Sequence, residues 1–127
     1  MYSYLSHLPA RRPKQKLGVR QVEKRDWPQH RKFVRGCMCL VRDCHSDKIE
    51  CAHVRHGLQD GEQGGVGLKP HDMWAVPLCH DHHAEAHRIG HKSFERKYRL
   101  DLRGSAIGLA KRSPCVAIRD KVRSIQT

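Results

Sequence analysis

Four histidines and a cysteine crowd into nine residues, Cys79-His80-Asp81-His82-His83-Ala84-Glu85-Ala86-His87. Read as a helix that starts near His80 and ends at Gly90, with Arg88 in its last turn, the stretch puts His83 and His87 four residues apart on one face. Two imidazoles so placed can hold one metal ion. Cys79 and His82 carry the spacing of half a zinc site. One short segment can therefore serve two ions, and the rest of the chain is constrained by whether it completes either site.

Cys39 and Cys44, with four residues between them, suit one side of a tetrahedral zinc site, and Cys37 is an alternative to Cys39. Cys79 and His82 would complete a Cys3His set, a mixture of thiolate and imidazole that zinc tolerates well. A structural Zn2+ also answers a shortage. The chain has 127 residues, 38% hydrophobic and only 6% aromatic, so its core is thin. Binding energy at a structural zinc becomes folding energy. Six cysteines, Cys37, Cys39, Cys44, Cys51, Cys79 and Cys115, also fit a secreted, disulfide-bonded basic protein. Against that, Met1 to Leu17 is short, basic and broken by prolines, with no apolar h-region. No stretch is long enough to span a membrane. Thiols interleaved with imidazoles point instead to metal and to a cytoplasmic location.

The net charge is +12, and residues 1–35 hold ten Lys/Arg against two Asp/Glu. That balance implies a polyanion partner, in the first place nucleic acid. Residues 1–25 read as an irregular basic arm whose Arg11, Arg12, Lys14 and Lys16 can track phosphates without reading bases. A solvated tail is the plainer reading of the same residues. Residues 26–114 read as the zinc-stapled domain and 115–127 as a C-terminal helical tail.

Within the domain, Asp26-Trp27-Pro28 predicts a helix start with Asp26 as cap, and Gly36 its end. Lys48 to Val54 alternates polar and apolar and predicts a strand ending near His53. Gly57 to Lys69 carries five glycines and is too long for a tight hairpin turn. It lacks the Lys-Ser/Thr ending of a nucleotide-binding loop. Met73 to Val76 predicts a second strand, ended by Pro77. After the histidine-rich helix, Ser93 is expected to cap a helix through Phe94 and Tyr98. Leu102 to Arg112 suits a packing helix broken by Pro114, and residues 116–127 are weakly amphipathic. The expected fold is a small α+β domain: a ββα-metal hairpin–helix core with a structural zinc, flanked by helices and the basic arm.

Ala52-His53-Val54-Arg55, Gly67-Leu68-Lys69-Pro70-His71-Asp72 and Pro77-Leu78-Cys79-His80-Asp81-His82-His83 together resemble the HNH, or His-Me finger, endonucleases. The resemblance is to a zinc-containing branch of phages and prophages that includes recombination-associated nucleases. Gly90 to Arg96 also fits it, and it covers roughly residues 26–114. It implies a metal-dependent DNA endonuclease, with a recombination protein as a further partner. His53 would be the general base, and His83 and His87 would hold a catalytic Mg2+ or Mn2+. Asp72 stands nearest the family's middle Asn, and Ala52 occupies a position where many members carry a metal ligand. Arg55 and Lys69 would hold the scissile phosphate. The competing expectation is a non-catalytic zinc module that binds nucleic acid. That module needs the cysteines and the charge, but not His53, His83 and His87.

Overall fold

A computed structural model describes residues 23–55 and 70–125. The arm residues Arg11, Arg12, Lys14 and Lys16, the glycine-rich loop and Lys69 lie outside the described residues. Helix α1 spans Pro28–Arg35, strand β1 Ile49–His53 and strand β2 Ala75–Cys79. Helices α2 (His80–Ile89), α3 (His91–Tyr98), α4 (Leu102–Lys111) and α5 (Val116–Arg123) follow in order. The small α+β fold is as expected: β1 and β2 pair antiparallel, Ile49 opposite Cys79 and His53 opposite Ala75, with helices around them.

A two-stranded sheet is marginal in water by itself. Here β2 is buried at all five positions and packs against α1, α2 and α4. Trp74, Phe94, Met73, Leu78, Leu102 and Ile118 are the largest apolar side chains fully withdrawn from solvent. Burying each contributes about 1.5–3 kcal/mol. Backbone bonds prolong the ladder at both ends, from Val54 N–H to Trp74 O (2.9 Å) and from His80 N–H to Lys48 O (3.0 Å). Ile118 and Val122 of α5 belong to the same core.

Local chemistry departs from the sequence expectation in four places. Asp26 does not cap α1; the N-cap is Trp27, without a side-chain bond, and Asp26 pairs with Arg31. Pro28 at the first helical position lowers the need for a cap, because it has no N–H to satisfy. Asp72–Trp74 is a 3-10 turn rather than strand, with His71 Nδ1 accepting the Met73 N–H at 3.0 Å. Pro77 lies inside β2, opposite Cys51. A two-stranded sheet leaves each strand a free edge where the missing N–H costs no ladder bond, and the Pro77 carbonyl still accepts from Leu40 N–H at 3.0 Å. Finally, α3 begins at His91 with Gly90 as N-cap (φ 86°), so Ser93 is interior. Asp101 caps α4 by accepting the Gly104 N–H at 3.0 Å, and a Cβ at 104 would collide with that carboxylate.

Candidate metal centre

Cys39, Cys44, Cys79 and His82 bring their ligand atoms within 4.8 Å of one another. Each is positioned by a different local device. A tight turn, with Cys44 N–H on Val41 O at 3.1 Å and Asp43 at φ 63°, folds Cys44 back toward Cys39. Cys79 ends β2 and is also the N-cap of α2, its Sγ accepting from His82 N–H at 3.4 Å. His82 lies in the first turn of α2. The Cys79 N–H reaches Cys39 Sγ at 3.4 Å, tying the turn to the strand.

The spacing fits zinc. Tetrahedral zinc with ordinary Zn–S and Zn–N bonds implies ligand separations of roughly 3.8 Å for S–S and 3.5 Å for S–N. Cys44 Sγ lies 3.8 Å from Cys79 Sγ, and His82 Nδ1 lies 3.5 Å from Cys39 Sγ and 3.1 Å from Cys79 Sγ. Cys39 and Cys79 are buried, Cys44 and His82 half-buried. Burial pushes the Cys39 thiol up to about 11, partly offset by the Cys79 N–H, whereas the Ser46 backbone N–H holds Cys44 below the usual thiol range. The choice between Cys37 and Cys39 is settled by α1: Cys37 Sγ points at Phe33 O, 3.4 Å away. All six cysteines are free thiols, so the disulfide framework does not form.

The remaining expected site residues fall into two groups. On one side, Asp72 is wholly buried and accepts from Trp27 N–H (2.6 Å), Arg31 Nη1 (2.6 Å) and His53 Nε2 (2.8 Å). Burial pushes its carboxyl up, but these three donors together hold it below the usual range. On the other side, Glu50 contacts His83 Nδ1 (2.8 Å) and His80 Nδ1 (2.9 Å), and His87 Nε2 lies 3.1 Å from His83 Nε2. Glu50 and His53 are three positions apart on β1, so their side chains leave opposite faces. The partners agree: Cys51 and His53 meet Arg31 O and Asp72 on the α1 side, and Glu50 meets α2. Arg55 lines an open cleft of about 520 Å³ with Ala86, His87, Gly90 and His91.

The expectation of a nuclease is overturned here, and with it the endonuclease, hydrolase and HNH descriptions. The metal-holding cluster supplies four protein ligands, the closed arrangement of a structural site, whereas a catalytic zinc keeps a position for water or substrate. Among the described residues no other group of three metal-ligating side chains converges, so nothing supports a separate Mg2+ or Mn2+ centre. Three residues were not visible as partners from sequence. Glu50 contacts His80 and His83, and Arg31 donates to Asp72, across long stretches of chain. His30 is buried, with Nδ1 2.8 Å from Ser113 Oγ and Nε2 without a partner.

A β-hairpin flanked by helices and stapled by a buried Cys3His cluster defines a small zinc-binding α+β module. The chain belongs to the family described as "Protein of unknown function (DUF968)", whose model matches residues 8–113. It is also 46% identical over 43 residues to "Uncharacterized protein YdfU" of Escherichia coli (strain K12), a match covering 34% of this chain and 12% of that protein. No solved structure matches. Among the described residues no helix is long and apolar enough to cross a membrane.

Proposed function

We propose that the protein is a non-catalytic zinc-containing module that binds nucleic acid, DNA in the first place. The observation that carries this reading is the closed Cys3His tetrad, in a chain of net charge +12. A metal with four protein ligands organises a scaffold, and the scaffold displays cations. In this reading residues 1–25 are a basic arm on phosphates, through Arg11, Arg12, Lys14 and Lys16. Residues 26–114 are the stapled domain and 115–127 its tail. Arg55 and Lys69 add to the phosphate contacts, and the module works in the cytoplasm beside a recombination protein. Asp72 positions the His53 ring. His83 and His87, with their Nε2 atoms 3.1 Å apart, form a histidine pair on α2 outside the tetrad.

The test is fluorescence anisotropy on a 20-base-pair duplex with zinc-loaded protein across a salt series. For six or more phosphate contacts, affinity is expected to fall about a thousandfold between 50 and 200 mM salt. Plasmid incubated with protein and magnesium or manganese is expected to stay supercoiled. Absence of binding at 50 mM salt, or affinity indifferent to salt, refutes the reading.

A further inference from the structure

We infer that α3 is the element of the described fold that docks on the phosphodiester backbone. This rests on the nucleic-acid reading and makes it specific. The buried side of α3 carries Phe94, with Tyr98 half-buried beside it. On another side Lys92, Arg96 and Arg99 follow one another at intervals of four and three residues, all exposed. That spacing sets three cations in a row, with rises of about 6 and 4.5 Å along the axis.

Three observations separate this row from an ordinary solvated face. First, neighbouring acids are engaged elsewhere. Glu85 takes Lys97 at 2.9 Å, and Glu95 accepts the Leu102 N–H at 3.1 Å. Lys92, Arg96 and Arg99 have no ion-pair partner among the described residues. Second, Arg99 sits in the left-handed region, φ 54° and ψ 50°, as the C-cap of α3. Glycine is the ordinary occupant there, and a side chain with a Cβ is strained. A long cation held at a strained, exposed position points to use of its charge. Third, a cleft opens at the start of α3: Gly90 and His91 line it together with Arg55, Ala86 and His87, and no carboxylate is among the described lining residues.

The experiment compares zinc-loaded wild type with two triple variants of equal net charge. One is Lys92→Ala/Arg96→Ala/Arg99→Gly. The other is Lys32→Ala/Lys111→Ala/Arg112→Ala, which removes exposed cations from α1 and the α4 end. Binding to duplex DNA and duplex RNA of one sequence is measured against salt. Three lost phosphate contacts are expected to lower the log–log salt slope on DNA by about 3 for the α3 variant, with the control slope unchanged. An equal loss on RNA assigns recognition to backbone charge shared by both; a loss on DNA alone assigns it to the DNA backbone.

Equal slope loss in both variants, or none in the α3 variant, overturns the proposal while leaving nucleic-acid binding intact. No salt-dependent binding by wild type removes the nucleic-acid reading itself. Arg99→Gly alone supplies a readout that a structural role would not give. It is expected to raise Tm by about 4 °C while weakening DNA binding. A higher Tm with unchanged affinity removes Arg99 from the docking row.

Discussion

Replacing Cys44 by serine tests the metal centre most directly. Apart from zinc, the segment around residues 39–48 is tied to the hairpin by few bonds: Leu40 N–H to Pro77 O, Cys79 N–H to Cys39 Sγ, and His80 N–H to Lys48 O. A structural zinc of this kind contributes about 10–16 kcal/mol of apparent binding energy to folding. A domain's whole net stability is only about 5–15 kcal/mol. If Cys44→Ser forfeits just a quarter of the site's energy, the loss is about 3–4 kcal/mol, enough to lower Tm by roughly 12 °C. Cys37→Ser is the matched control, since its thiol donates to Phe33 O and stands outside the tetrad. The assay is zinc released to a chromophoric chelator, alongside thermal melts at saturating zinc. Cys44→Ser is expected to hold less than one zinc per chain and to melt early or without cooperativity. Cys37→Ser is expected to hold one zinc and to melt like wild type. One zinc and a wild-type melt for Cys44→Ser, or zinc loss in Cys37→Ser, would refute the ligand set.

Acidification probes two buried imidazoles. His30 and His71 are both lowered to about 4, first by burial, so the unfolded chain takes up protons before the folded one. Their contribution is complete above pH 6.5 and is lost as pH falls toward 4, about 3 kcal/mol for each group. Denaturation midpoints against pH, with zinc content followed in parallel, are expected to fall through that window. His30→Gln should remove about half of the fall, and an unchanged profile would count against His30 being neutral in the fold. Asp72→Asn leaves Arg31, His53 and the Trp27 N–H facing an amide that cannot accept from all three. The expected cost is about 3 kcal/mol in denaturant melts. Because the carboxyl sits below the ordinary 3.8, its contribution is present above that pH and lost below it. The Asn deficit should therefore persist down to pH 5; a deficit that has vanished by pH 5 would show that Asp72 is not ionised there.

The tetrad was legible because its spacing is local: one pair in a short turn, the other within a single helical turn. The choice of Cys39 over Cys37 was not, because it depends on which way a chain leaving α1 presents its thiols. Pro77 misled for a related reason. The rule that proline ends a strand assumes neighbours on both sides, and β2 has only one. The Asp72 knot joins groups 41 and 45 residues apart, beyond the reach of any periodicity. His53 does not meet His83 and His87 because strand faces alternate: Glu50 contacts His83, and odd spacing from Glu50 sends His53 the other way, to Asp72.

That separation also explains how one fold can carry so many histidines without gathering them at one centre. His82 is spent on the tetrad, and its ring packs edge-on to Tyr98 and Phe94, with centroids 5.3 and 6.5 Å away. Metal coordination and aromatic packing therefore fix the same ring, and through it α2 is held to α3. Glu85 adds a second tie through the Tyr98 hydroxyl and Lys97. Cys79 meanwhile ends the sheet, caps α2 and binds the ion, so the direction of α2 is set where zinc enters. A closed site placed there offers a substrate no open coordination position. What it can control is the angle at which α3 leaves Gly90, and with it where Lys92, Arg96 and Arg99 point.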